Sequence, residues 1–510
     1  MLAKVLSGAN VGLNVVLVTV EVDIASQGLP SFTIVGLGDR AVEESKERVR
    51  SAIRNSGADF PARKITINLA PADLPKEGPS YDLPMALGLL LASGQIPQNG
   101  DFLNLNSTLV IGELSLDGSL RKTAGVLPVA ILAKKMGFKT MIVPFQNGPE
   151  AAVMEEVQVF AFESLQEIVK VFLKQSEVSA VKSIPIDFND YTCEYNFSQI
   201  KGQEQAKRAL EIAASGGHNI LLKGPPGAGK TMLARAFPSI LPPLSFEEAL
   251  EVTSIYSVSG MLEKSKPLMV ERPFRTPHHT ASYVGIVGGG ASIRPGEISL
   301  AHRGVLFMDE LPEFPRQVLE SLRQPMEDHK ITISRATGSL TFPAQFILLA
   351  AQNPCPCGFL GDKKHQCSCM PGAIAKYQRR LSGPLLDRID IYLEVPAVEV
   401  DKLSGIADGE DSAIIRKRVV RARDIQKSRF SGKVFTNSEM GSSEIRQFCQ
   451  ITQEGLDLLK RAISSLNLSA RGYHRVLKLS RTIADLGGSD NILTEHVAEA
   501  LQYRAREDNT

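Results

Sequence analysis

Apolar and polar residues alternate with a period of about two over residues 15–22, 32–35, 64–69 and 108–112, which predicts β-strands. Over 41–56, 83–94 and 125–136 the apolar positions return at helical spacing instead, which predicts helices packed on those strands. A polar stretch from about 175 to 197, carrying Pro185, has neither period and reads as a linker. Beyond it come a helix at 203–215, a short apolar strand at 219–223, a glycine-rich loop and a helix opening at Thr231. Apolar strands return at 304–308 and 345–351. Strands alternating with helices imply a parallel sheet under covering helices. From about residue 399 the pattern is helical, clearest at 417–429, 454–466 and 472–486. The expected fold class is therefore α/β: a mixed unit at 1–172, a linker at 173–197, a central unit at 198–398 and a helical unit at 399–510. No internal repeat or low-complexity tract interrupts this order.

Composition narrows the class. A chain of 510 residues is too long for one core. Its 43% hydrophobic and 22% charged residues are ordinary for a soluble globular protein. No apolar run reaches the roughly 18 residues a membrane span needs. The apolar stretch 11–20 is interrupted by Gly12, Asn14 and Thr19 and reads as a strand rather than an export signal. A cytoplasmic, reduced protein is expected. The net charge of +1 offers no broad basic field, so any nucleic-acid contact must be local, such as loops lining the pore of a ring.

The chemistry concentrates in the central unit. Gly224, Pro225, Pro226, Gly227, Ala228, Gly229, Lys230 and Thr231 fit the phosphate-loop pattern, in the strand-to-helix context that the pattern requires. Its glycines let the backbone wrap an ATP phosphate chain with N–H groups turned inward. Lys230 is expected at the β- and γ-phosphates, and the Thr231 hydroxyl on Mg²⁺. The strand at 304–308 ends in Asp309 and Glu310: the first is expected in the Mg²⁺ shell, the second polarising the attacking water. Cys355, Cys357, Cys367 and Cys369 form two CxC pairs in one short insert, 355–369. Four thiolates there suit tetrahedral Zn²⁺, with His365 able to replace one of them; the alternative is four unligated thiols. Residues 414–433 carry eight basic side chains against Asp424, a helix that either binds phosphate backbone or faces solvent or another subunit.

These parts resemble AAA+ proteins. By that resemblance Asn353, after the next strand, stands at the water-orienting position called sensor 1; by itself it is also a turn residue before Pro354. Arg388 resembles the arginine finger that one subunit offers its neighbour's γ-phosphate, the alternative being an ion pair with Asp387 or Asp390. Arg475 resembles sensor 2, with Arg471 the competing candidate one helical turn away. Residues 216–231, 274–280, 351–358 and 382–390 together resemble the magnesium-chelatase-like AAA+ family known as ComM or YifB, and the likeness runs nearly full length. It implies a homo-hexameric ring of the helix-2-insert group, a helical C-terminal lid, and ATP-driven movement on single-stranded or branched DNA threaded through a central pore. ComM-type members are similar to branch-migration helicases that extend recombination of incoming DNA in natural transformation. The two inserts of that group would be a glycine-rich loop at 283–299, with Arg294, and a hairpin at 330–342, with Lys330 and Arg335. Those three residues are the candidate DNA contacts, the alternatives being an ordinary surface loop at 283–299 and solvated edge-strand charges at Lys330 and Arg335. His278 and His279 are adjacent and do not converge on one ion; a hydrogen-bonding or subunit-contact role is expected.

In the first unit, Lys76 to Ser80 and residues 111–120 resemble the nucleophile region of Lon proteases, in a ribosomal-S5-like α+β fold. The position of Lon's catalytic lysine falls on Leu127, which cannot take a proton. This domain is therefore expected to be inactive as a peptidase, with Ser80 serving a turn or helix cap. Two competing functions are a magnesium-chelatase motor subunit, which would lack such a domain, and a protein-remodelling ATPase.

Overall fold

The computed structural model describes all residues except 75, 98–103, 189–192, 264–265, 291–292, 336–337, 363–364, 398–408, 431–433, 466–468 and 505–510. The expected boundary between 398 and 399 lies outside the described residues.

The first unit is built on a seven-stranded mixed sheet in the order Ser31–Val35, Lys64–Ala70, Asn14–Ile24, Leu2–Val11, Thr108–Val110, Thr140–Pro144, Gln158–Phe162. The run 11–20 is not one strand. Val11 ends the first strand, the chain turns at Gly12 with φ +65, and Asn14 opens the second, pairing back antiparallel from Val11↔Asn14 to Leu2↔Asp23. Strand alternation then fills two cores. Val110, Ile142 and Phe160 face one core, under the helices Arg40–Asn55 and Asp82–Ala92. Leu109, Met141, Val143 and Val159 face the other, under Val126–Met136. The helix Asp82–Ala92 is buried along its whole length, as a helix apolar on all sides must be.

The segment read as a linker is a strap. Val178 and Ala180 pack on the first core, the Val181 N–H donates to Val159 O at 2.8 Å, and Phe197 is fully buried in the next unit. Its apolar residues are spaced without a period: Val181, Ile186 and Phe188 pack on the second core, while Ile184 is exposed.

The central unit holds a five-stranded parallel sheet, ordered Phe274–Arg275, Val305–Met308, Ile347–Gln352, Ile220–Lys223, Ile391–Glu394. Ile220, Leu222, Val305 and Phe307 face a core shared with the helices Glu204–Gly216 and Lys230–Ala236. Leu221, Leu306 and Met308 face the other side, with the hairpin residues Ile331, Ile333 and Phe342. Helices Ser412–Arg429, Gln453–Ser465, Ala470–Leu486 and Thr494–Gln502 extend the first of these cores. Position 466, the expected end of one of them, is outside the described residues. The basic helix is largely committed inward. Arg416 bonds Ser239 O, Arg418 pairs with Glu211 and Glu410, Arg423 bonds Ala214 O and Arg429 pairs with Asp485. Lys417, Arg421 and Lys427 remain exposed; Lys433 is outside the described residues.

The first and central units share a core. Helix Phe246–Val258, started by a Ser245–Glu248 capping box, packs Ala249, Val252 and Ile255 against Val126–Met136. The Gly125 N–H donates to Ser257 O at 3.0 Å. Beneath it Glu150, buried, accepts from Leu127 N at 3.0 Å, Asn147 Nδ2 at 2.9 Å and Ser257 Oγ at 2.5 Å. Among the described residues no helix is long and apolar enough to cross a membrane.

Candidate functional site

Parallel strands leave a crevice at their carboxyl ends. Here three neighbouring strands end on the loop 224–229, on Asp309 and Glu310, and on Asn353. The loop can close only with glycine at certain points: a Cβ on Gly224 would stand 2.2 Å from Val395 O, and Gly227 and Gly229 take φ of +76 and +83. Lys230 is buried and folded back over the loop. Its Nζ donates to Gly224 O at 2.7 Å, to Pro225 O at 2.9 Å and to Asn353 Oδ1 at 3.2 Å. Burial lowers the ammonium's pKa, while the charges of Asp309 and Glu310 pull it back up. The Thr231 hydroxyl donates to Asp309 Oδ2 at 2.9 Å. A hydroxyl beside a carboxylate oxygen is a hard-oxygen donor set that fits Mg²⁺.

Glu310 sits in the left-handed region, φ +52, with its N–H on Asp309 Oδ1 at 2.9 Å and its side chain half exposed. Facing it is His279, whose Nδ1 lies 3.5 Å from Glu310 Oε2. The His279 ring lies 4.2 Å from that of His278, tilted by 32°, and meets Phe314 in a T-shaped arrangement with ring centres 6.4 Å apart. His278 turns to Thr280 Oγ1 instead, at 2.8 Å. The sequence marked both histidines without a target. The missing signal was the two-residue strand Phe274–Arg275, too short for periodicity, which delivers the following loop beside the acid-bearing strand.

The arginines lie elsewhere. Arg388 donates to Pro384 O at 2.6 Å and pairs with Glu327, neither Asp387 nor Asp390 being its partner, and its Nε is buried unpaired. Asp390 belongs to Arg475, at 3.6 Å, and to His218, at 3.2 Å; Arg475 also reaches Ile389 O at 3.3 Å. Burial alone would raise the Asp390 carboxyl, but the His218 hydrogen bond and the charges of His218, Arg475 and Lys478 hold it below its ordinary value. Arg471 is exposed. Arg475 thus shares with Arg388 one short segment, 387–390.

The described residues of 283–299, all but 291–292, fall largely into regular elements. Helix Tyr283–Val287 is followed by a ladder pairing Gly288↔Pro295 and Gly289↔Arg294, then helix Glu297–Leu300. Arg294 is exposed there. Lys330 and Arg335 open and close the first strand of the expected hairpin, paired with Pro343 and Gly338 respectively. Lys330 is exposed; the Arg335 side chain is outside the described residues.

Cys355, Cys357, Cys367 and Cys369 bring four sulfurs within 4.8 Å of one another, a group that could hold a metal ion. The Phe359 and Ser368 N–H groups lower the Cys357 thiol to about 6. Although the Cys369 N–H favours its thiolate, Cys367 is pushed up to about 12 by burial and by the neighbouring sulfurs. His365 is not in the cluster: its ring packs on Phe359 at 4.9 Å and its side chain is exposed. Ser80 lies in the turn Pro79–Tyr81, its carbonyl accepting the Gly112 N–H at 3.0 Å; the helix Asp82–Ala92 that follows has no side-chain cap, so the turn role holds and the cap role does not. Leu127 is fully buried, and Lys76, also buried, donates to Pro71 O.

A parallel sheet with a phosphate-loop sequence, paired acids and an asparagine on adjacent strand ends defines a P-loop module of the AAA+ kind. Three family models match: the magnesium chelatase subunit ChlI over 196–403, the subunit ChlI of Mg-chelatase over 20–147, and the ChlI C-terminal model over 409–504. The chain is 45% identical over 509 residues to competence protein ComM of Haemophilus influenzae, covering 99% of this chain and 97% of that one. It is 46% identical to the uncharacterized protein YifB of Escherichia coli, covering 98% and 96%. A shorter match, 28% identical, joins 30% of the chain to 29% of Lon protease 2 of Bacillus subtilis. The chain belongs to the magnesium-chelatase-like AAA+ family of ComM and YifB.

Proposed function

We propose that the chain is an ATP hydrolase that assembles as a homo-hexameric ring and spends Mg·ATP on movement along DNA. The observation that carries this reading is the convergence of Lys230, Thr231, Asp309, Glu310 and Asn353 on one edge of the parallel sheet, with Thr231 bonded to Asp309 and Lys230 to Asn353. Lys230 would grip the β- and γ-phosphates, Thr231 and Asp309 would hold Mg²⁺, and Glu310 and Asn353 would order the attacking water. Arg388 and Arg475, tied to the same short segment, would be offered together to a neighbour's phosphate.

The name of the ComM relative supports a place in competence; our reading of the chain there is a branch-migration or helicase-type motor that recombines incoming DNA in the cytoplasm. Arg294, Lys330 and Arg335 would touch DNA from the pore side. Residues 1–172 would form a ribosomal-S5/Lon-like domain without peptidase activity, 173–197 the connection, 198–398 the ATPase domain and 399–510 the helical lid. The sulfur cluster would take Zn²⁺. A chelatase motor subunit is the second reading, favoured by the descriptions of the matching families. ATPase rates with and without single-stranded, duplex and four-way-junction DNA decide between them. Strong stimulation by DNA is expected; indifference to every DNA, with a response to a protein partner, would overturn the DNA reading.

A further inference from the structure

The sulfur cluster and the phosphate loop are far apart in the chain, yet they touch. Gly358 takes φ +85 and lies so close to Pro226 that a Cβ on it would stand 2.6 Å from Pro226 Cδ and 2.7 Å from its Cγ. The same atom would be 3.9 Å from Asn353 Cγ. Asn353, just before Cys355, accepts from Lys230 Nζ at 3.2 Å, and the Gly224 N–H donates to Gln352 O at 3.2 Å. Two routes therefore run from the cysteines into the phosphate loop: along the strand end at 352–353, and across the Gly358–Pro226 contact. Pro226 has a fixed φ and a rigid ring, so pressure on it moves the loop backbone rather than a side-chain rotamer.

Among the described residues of the loop 355–369, the Cys357 N–H donates to Cys369 Sγ at 3.4 Å and the Gly358 N–H to Cys355 O at 2.9 Å. Its sulfurs approach at 3.4 Å between Cys355 and Cys357, 3.7 Å between Cys355 and Cys367, and 3.6 Å between Cys357 and Cys367. Once ionised, such sulfurs repel unless a cation joins them. A tetrahedral dication turns that repulsion into a clamp.

We propose that a metal ion held by Cys355, Cys357, Cys367 and Cys369 is part of the nucleotide site: it fixes the loop against Pro226 and Asn353, and so sets how tightly residues 224–231 grip ATP. This rests on those residues being the nucleotide site and adds a second ion, remote from the phosphates, on which binding depends.

The test uses the full chain, purified with reductant. Zinc is released with a mercurial and counted with a chromogenic chelator. Affinity for a fluorescent, non-hydrolysable ATP analogue with Mg²⁺ is then measured on the zinc-loaded protein, after stripping with chelator, and after zinc is returned. Zinc is expected in the purified chain. Stripping is expected to weaken the analogue by roughly ten-fold or more, since sub-ångström misplacement of a preorganised site carries costs of that order. Returned zinc restores it. Gly358→Ala keeps all four cysteines and full zinc content while forcing the loop off Pro226; it is expected to weaken the analogue several-fold, and it decides the matter if the stripped chain unfolds. Absence of bound metal, equal affinity in the stripped and folded chain, or wild-type affinity in Gly358→Ala overturns the proposal. If the zinc-loaded wild type captures no nucleotide at all, the phosphate-loop reading fails, and this proposal with it.

Discussion

Lys230 makes three hydrogen bonds to its own chain, and on the proposed reading each is exchanged for phosphate oxygens when ATP arrives. Lys230→Ala should therefore abolish hydrolysis and weaken nucleotide binding together; retained turnover would refute the assignment. Glu310 tests a different step. Glu310→Gln keeps the shape and the half-exposed position but loses the charge that polarises water. Nucleotide binding is expected to survive while turnover falls by roughly 10² or more, the usual scale for losing a general base. Equal loss of binding would mean that Glu310 is structural. Both residues stand out in the sequence because the motifs that carry them occupy consecutive positions. His279 does not, since its meaning depends on an acid 31 places later that only sheet pairing brings within 3.5 Å.

Elements carry the next layer, and here the sequence was less transparent. Long periodic helices such as Arg40–Asn55 and Ala470–Leu486 were legible because an amphipathic stripe records which face is buried. The strands Thr140–Pro144 and Gln158–Phe162 were not, being short and packed between two cores, and neither was Phe274–Arg275, which has only two residues. Glu150 was also opaque: in a sequence a glutamate near a turn reads as solvent-facing, yet this one is buried where helix Phe246–Val258 meets the first unit. Ser257→Ala removes one of its three donors and should cost about 1–3 kcal/mol, the range for weakening a buried polar group's hydrogen bonding. Chemical denaturation followed by tyrosine fluorescence would read it, and an unchanged midpoint would show that the contact is dispensable. The same helix also carries an acid-sensitive tie. Burial works against the Glu251 carboxylate, but hydrogen bonds from His302 and Arg303 dominate and hold it at about 2 against an ordinary 4.5. A carboxylate with a lowered folded value stabilises the fold above 4.5 and loses that contribution as pH falls from 4.5 toward 2. Melting temperature should consequently drop less steeply below pH 4.5 in Glu251→Gln than in the wild type; parallel slopes would exclude the tie.

At the scale of the whole molecule the open question is whether the site is completed within one chain. In the isolated chain Arg388 is turned onto Glu327 and Pro384 O, and Arg475 onto Asp390 and Ile389 O, so neither cation is spent on its own phosphate loop. An arginine that stabilises transition-state charge must leave such partners for a γ-phosphate, and a ring would supply that phosphate from the adjacent subunit. Arg388→Ala should then leave nucleotide binding largely intact while cutting hydrolysis by roughly 10³ or more. The stronger test mixes two inactive chains. A ring built from Lys230→Ala and Arg388→Ala subunits contains some interfaces that join an intact phosphate loop on an Arg388→Ala subunit to an intact arginine on a Lys230→Ala subunit. With random assembly at equal amounts these are about a quarter of all interfaces, because a heterologous ring contact draws its two sides independently. Hydrolysis should reappear on mixing and approach that fraction if sites fire independently. Co-assembly of the two variants, verified by differential tags, without any recovered hydrolysis would place Arg388 outside the neighbour's reaction and leave its pairing with Glu327 as a purely structural one.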